Sequence, residues 1–282
     1  MPRAFCPGHI TCLFSPGSTA GDMGSRGSRG IGIRVSKGAA VKLTEVSGKD
    51  VTIIIDGEVS DAPVTRYVLQ SILPGRGLEA EVVNGLPVGQ GFGMSAAGAI
   101  AAALCAAEMS GVPADEAWSI AHASEIVNGG GLGDVSALRC CSDVPERVLE
   151  GLPPAGEVRG TGLRFPVLTV AVLGRKMDTG HVLSKPSVRS GLVSSYEGAR
   201  KLFTGSRPSL FEASNKFSSE AGVESREVAE AISRLRSGNR RAAMCMLGNS
   251  IFSDAPYLMV KDAFPDADVR PLMSTSEPAR LL

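Results

Sequence analysis

Residues 86–98, LPVGQGFGMSAAG, place glycines at 89, 91, 93 and 98, and an alanine-rich run follows them. Glycines at that spacing permit left-handed backbone and leave N–H groups uncovered, and together these make an anion cradle. The run reads as a helix from about Ser95 to Met109, stopped by Gly111. Its N-terminus, with Ser95 in the first turn, adds partial positive charge to the cradle. A tight loop that needs glycine only for its backbone angles is the competing structural reading. Gly91, Gly93 and Ala96 also fit G-x-G-x-x-A, the dinucleotide turn, but the context is wrong. Asn84 to Val88 separate the preceding strand from the glycines, and the next acid, Glu108, lies within the same helix. A dinucleotide site needs that acid at the end of a following strand. No G-K-[ST] follows, so a P-loop is excluded as well.

A second cluster bears on the choice. The segment 113–128 opens on Pro113, Asp115 and Glu116 and reads as a helix, which sets His122 and Glu125 on one face at i, i+3. Asp134 follows nine residues after Glu125, beyond the turn GGGLGD. One carboxylate would suit Mg²⁺, which takes one or two carboxylates plus phosphate oxygens. The other could take a proton from a hydroxyl. Alone, Glu125 could be a solvated helix face and Asp134 an N-cap for VSAL. With a phosphate loop, the two indicate a phosphotransferase.

Composition sets limits. Basic and acidic residues balance at 29 each, so there is no general pull toward nucleic acid or an anionic membrane. Aromatics, at 5%, are too few for base-stacking platforms. The six cysteines form no C-x-x-C pair, and reduced thiols in a cytoplasmic protein are expected. MPRAFCPGHITCLF interrupts its apolar run with Pro and Gly and is not a signal peptide. The alanine-rich run is broken by Glu108 and too short to span a membrane.

Along the chain, the first forty residues look strand-poor and glycine-rich. Strands are expected at 39–46, 51–56 and 78–83, with a helix beginning near Asp61 and Pro63. EGLPPAGEVRGTG (150–162) is the best boundary, and 165–173 is a buried strand. Helices are expected at 188–204, 208–220, 224–237 and 239–247, and a last strand near DVRPLMS closes the chain. The class is α+β.

PVGQGFGMSAAGA (87–99) resembles the P-x3-G-[LF]-G-x-S-[AS]-A motif of the GHMP kinases, and GGLGDVSA (130–137) resembles their later Gly-x-Gly-x-Asp segment. RAFCPGHITCLF, GSRGSRGIGIRVSKGA, AMCMLGNSIFS and the ending EPARLL are similar to the archaeal branch of that superfamily, which phosphorylates pantoate on the route to coenzyme A. The resemblance implies the GHMP kinase fold: an N-terminal α+β domain (1–155) and a ferredoxin-like C-terminal domain (156–282). ATP would lie over Pro87, Gly89, Gly91, Phe92, Gly93, Met94, Ser95, Ala96 and Ala97. Ser95 and Glu125 would hold Mg²⁺, and Asp134 would be the catalytic base. Ser25, His122, Arg147 and Thr179 would bind pantoate, with Arg147 as the carboxylate clamp. The third glycine motif, G-x-G-x-G-G, is absent, and MLGNS (246–250) is the one candidate for its place. Expected partners are ATP and pantoate, with a homodimer left open.

Overall fold

A computed structural model describes all residues except Gly130, Gly131 and Asp178, with Thr179 described by its backbone alone. The first part of the chain forms β1 (Arg3–Pro16), β2 (Ser28–Val46), β3 (Val51–Ile55), β4 (Glu58–Val59), α1 (Pro63–Ile72), β5 (Gly77–Asn84), α2 (Met94–Ser110), α3 (Ala114–Val127), α4 (Asp134–Arg139), β6 (Pro145–Leu149) and β7 (Glu157–Gly160). The second part forms β8 (Leu168–Val172), α5 (Thr179–Leu183), α6 (Pro186–Arg200), α7 (Arg207–Glu220), α8 (Arg226–Ser237), β9 (Ala242–Met244), β10 (Ser250–Ser253), α9 (Tyr257–Ala263), β11 (Asp268–Leu272) and β12 (Arg280–Leu281).

The larger sheet runs β12-β1-β2-β5-β3-β4. The long β2 pairs with β5 along its second half, while Gly30 and Ile31 near its start pair with β6. Helices α1 and α2 pack on this sheet with α3 stacked against them, and α6 and α7 cover β1 from the other side. β1 is therefore buried on both faces, and Cys6, His9, Ile10, Cys12 and Leu13 are fully enclosed. Its pairing with β2 is interrupted by bulges at Pro7/Gly8 and Thr11/Leu13. These bracket the residues that β1 sends to the site, as bulges often do where a side chain must be re-aimed.

α2 is apolar around its whole circumference, with nearly every residue from Ala96 to Ala107 buried. That pattern marks a central core helix. Among the described residues no helix is long and apolar enough to cross a membrane.

The smaller sheet is wholly antiparallel, in the order β11-β8-β10-β9. Helices α6 to α8 lie between β8 and β9, and α9 lies between β10 and β11. The succession β-α-β-β-α-β with the first strand between the third and fourth is the split βαβ, ferredoxin-like arrangement. α7 joins the two sheets. Its Phe217 stacks edge-on against Phe14 of β1 at 5.9 Å, and its Phe211 lies 5.1 Å from Phe252 of β10. Such pairs add about 0.5–1.5 kcal/mol each beyond burial.

Three expectations are corrected. The first forty residues are not strand-poor, since β1 and most of β2 fill them. Glycine lowers strand propensity, but here it permits close approach: a Cβ on Gly38 would sit 1.9 Å from the Cys6 carbonyl oxygen. The segment 239–247 is not a helix but the short strand β9 with its flanking turns, because a brief apolar run carries no decisive period. The strand at DVRPLMS is not the last, since β12 pairs with β1 at Ala4 and Phe5.

Candidate active site

The glycine loop hangs between β5 and α2. Gly89, Gly91 and Gly93 have φ of +75°, +77° and +65°, so all three use the left-handed region. Gly91 is constrained twice, because a Cβ there would lie 2.5 Å from the Cys245 carbonyl oxygen. The loop is pinned by the His9 N–H, which donates to the Phe92 carbonyl at 3.0 Å. The Ser250 hydroxyl likewise donates to the Gln90 carbonyl at 2.6 Å. α2 starts at Met94 with no side chain capping its N-terminus, and that end opens on a cavity of about 280 Å³. Orphan N–H groups and the helix dipole there favour an anion. The dinucleotide reading fails in the fold too: α2 leads into α3 and α4 and not into a parallel strand.

On the cavity wall the Ser95 hydroxyl donates to Glu125 Oε1 at 2.9 Å, and Glu125 is 1% exposed. The short helix α4, reached through the glycine turn, opens on Asp134. Its Oδ1 lies 2.7 Å from His9 Nδ1 and accepts from the Thr11 hydroxyl at 3.4 Å. Burial lowers the His9 pKa below the ordinary imidazole value, and the Asp134 carboxylate only partly opposes it. The imidazole is thus neutral and donates its Nδ1–H. Burial raises the Asp134 carboxyl, but the hydrogen bond from His9, the Arg147 charge and the Thr11 hydroxyl outweigh it, and the net shift is downward. Asp134 is a carboxylate, part-exposed to the cavity.

Arg147, on β6, is enclosed beside it and donates from Nε to the Ser28 carbonyl at 3.2 Å. Burial lowers its pKa, opposed first by Asp134. Its Nη1 is buried without a hydrogen-bond partner. Gly133 makes room for it, since a Cβ there would meet Arg147 Nε at 2.4 Å.

The sequence expectations divide. Ser95, Glu125, Asp134, Arg147 and the loop residues Gly89, Gly91, Phe92, Gly93 and Met94 share one cavity wall. Pro87 stays off it, as do Ala96 and Ala97, which are buried in the body of α2. Ser25 also stays off it, with its hydroxyl on the Asp22 carbonyl at 3.0 Å, whereas Ser28 is on the wall. His122 is buried one turn before Glu125, but its Nε2–H reaches the Arg26 carbonyl at 3.0 Å and steadies the glycine-rich segment. Burial lowers its pKa. Thr179 heads α5, and its side chain lies outside the described residues. MLGNS supplies Met246 and Leu247 to the wall, and its Gly248 packs so closely that a Cβ would lie 2.2 Å from the Gln90 carbonyl carbon.

His9 and Thr11 went unassigned in the sequence. The signal for them was PGHIT itself, a histidine and a threonine two apart on a strand and so on one face. Among the described residues no group of three or more His, Cys, Asp or Glu could hold a metal. Ser95 with the buried Glu125 still fits Mg²⁺, which completes its shell with phosphate oxygens and water.

Residues 37–140 match the GHMP kinases N terminal domain. A pantoate kinase of Thermococcus kodakarensis is 29% identical over 262 residues, 89% of this chain and 86% of the relative. A pantoate kinase of Methanospirillum hungatei is 27% identical over 257 residues, with the same coverage. A solved phosphotransferase related to the CoA biosynthesis pathway superposes with a TM-score of 0.86 at 25% identity, covering 100% of this chain and 98% of the other.

Proposed function

We propose, for a chain with the GHMP kinase fold and its N-terminal domain at residues 37–140, that the protein transfers the γ-phosphoryl group of ATP to the 4-hydroxyl of pantoate, in the route to coenzyme A. The observation that carries this reading is the single wall shared by an uncapped helix N-terminus, the Ser95–Glu125 pair, Asp134 and Arg147. The similarity to two pantoate kinases supports the acceptor.

The triphosphate sits over Gly89, Gly91 and Gly93 and against the first turn of α2. Ser95 and Glu125 would hold Mg²⁺, which would supply positive charge to the triphosphate. The pantoate carboxylate pairs with Arg147, whose buried, unsatisfied Nη1 is suited to one more acceptor. Asp134 then accepts a hydrogen bond from the 4-hydroxyl. The hydroxyl oxygen bonds to the γ-phosphorus, the bond to the β-phosphate bridging oxygen breaks, and the proton passes to Asp134. A carboxylate with a lowered pKa is a weak base. The loose transition state of phosphoryl transfer asks little of a base before bond formation, so orientation is the larger part of its task. The division near 155/156 is kept as a proposal, with the cleft between the two parts receiving the acceptor.

The test is turnover with ATP and Mg²⁺ across D-pantoate, homoserine, shikimate and mevalonate, scored by phosphorylated product. Turnover of another acceptor with none of D-pantoate would sink the assignment and leave a GHMP kinase of different specificity.

A further inference from the structure

A second cleft, of about 690 Å³, opens between α7 and the turn joining α8 to β9. Its lining combines the apolar Leu202, Pro208 and buried Phe211 with a basic set, Lys216, Arg236, Arg240 and Arg241. Glu212 is the one acid on the wall among the described residues. Lys216 pairs with Glu220, and Arg241 pairs with Asp254 at 2.7 Å. The side chains of Arg236 and Arg240 make no hydrogen bond or ion pair with any described residue. Two uncommitted guanidinium forks in a cleft that also presents Leu202 and Phe211 are matched by phosphate oxygens on an organic body. The volume suits a small metabolite or nucleotide-sized ligand.

This cleft is tied to the catalytic cavity by short covalent and hydrogen-bonded links. Arg241 runs directly into β9, and Asn215 Nδ2 on the cleft wall donates to the Ala242 carbonyl at 2.9 Å. The strand leads on to Met246 and Leu247 of the catalytic wall, and the Met246 N–H donates to the Thr11 carbonyl at 3.1 Å. From α7, Ser214 donates to the Cys12 carbonyl at 2.8 Å, next to Thr11.

We propose that this cleft is a second ligand site, for an organic phosphate, and that its occupancy is transmitted through β9 to the catalytic cavity. The binding part does not depend on the reaction assigned above.

The test is calorimetric titration of the full chain, free of nucleotide so that no other organic phosphate fills the cleft, using phenyl phosphate and inorganic phosphate as probes. Phenyl phosphate should show a binding event that depends on Arg236 and Arg240 and is tighter than that of inorganic phosphate. The exposed pair R236A/R240A should weaken it about tenfold or more, with melting temperature and probe-free turnover unchanged. No stoichiometric binding, or equal affinity in the variant, overturns the site. A change in KM or kcat at saturating phenyl phosphate, absent in the variant, supports transmission. Identical kinetics with and without the probe overturn that part.

Discussion

His9 Nδ1 lies 2.7 Å from Asp134 Oδ1, a contact that joins β1 to the start of α4 across 125 residues of chain. The imidazole fixes one carboxylate oxygen, and in the proposed reaction the other accepts from the substrate hydroxyl. Replacing His9 by Asn keeps an N–H donor near the Nδ1 position, while Ala removes it. His9→Ala should lower kcat by roughly 10- to 100-fold, since the carboxylate is then free to swing away from the hydroxyl it is proposed to orient. His9→Asn should retain most of the activity. Equal loss in both variants would show that the ring is needed for more than its donor.

Asp134→Asn keeps shape and removes both charge and proton acceptance. Turnover should fall by about 10²–10⁴-fold, while ATP affinity measured by calorimetry stays within error. Loss of ATP binding in step with turnover would instead assign Asp134 to the nucleotide.

Arg147→Met keeps much of the bulk and removes the cation. A hydrogen bond to a charged group is worth about 1.5–3 kcal/mol, so KM for pantoate should rise roughly 10- to 100-fold with KM for ATP unchanged. A KM for pantoate that does not move would place its carboxylate elsewhere.

Acidification should weaken the fold through this same pair. His9 has its pKa lowered in the folded state by burial, and Asp134 is also lowered overall. The unfolded chain therefore binds more protons than the folded one as pH falls through the ordinary imidazole value of 6.5 and then the carboxylate value of 3.8. Stability rises with pH wherever that holds. Both groups contribute fully above 6.5, and each contribution is lost as pH falls toward its folded pKa. Thermal melting should show a decline beginning below 6.5 that is smaller in His9→Asn, which has no imidazole to protonate.

Two glycines of the opening stretch should behave oppositely. Gly91→Ala meets both a φ of +77° and the Cys245 carbonyl, and should cost at least about 1–2 kcal/mol. Gly98→Ala lies inside α2 with its new Cβ 3.7 Å from Val82 Cγ1, an ordinary contact, and should gain about 0.5–1 kcal/mol. Equal effects in a melting assay would contradict the loop geometry.

The sequence disclosed the parts of the site that depend on local chain geometry. The left-handed glycines, the helix start at Ser95 and the carboxylates at Glu125 and Asp134 each follow from spacing along one or two elements. His9, Thr11 and Ser28 depend on β1 and β2, whose glycine content lowered their apparent strand character. That content reflects contacts no sequence pattern displays: a Cβ on Gly32 would sit 2.2 Å from His9 Nε2. The i, i+3 spacing set His122 and Glu125 on one helix face, and the structure buries both, yet the ring turns to Arg26 and not to the cavity. Helical spacing fixes a face, and only the neighbouring segment decides where a side chain on it ends.

β1, enclosed by α2 on one side and by α6 and α7 on the other, has a kinetic consequence. Segments with that much burial exchange their amide protons only when the whole molecule opens. Asp134 itself sits beyond a glycine turn, but its partners His9 and Thr11 belong to this slow-exchanging strand. The carboxylate is thus moored, through His9 and Thr11, to the part of the molecule expected to open last, and its position is set by the slowest-exchanging strand of the larger sheet.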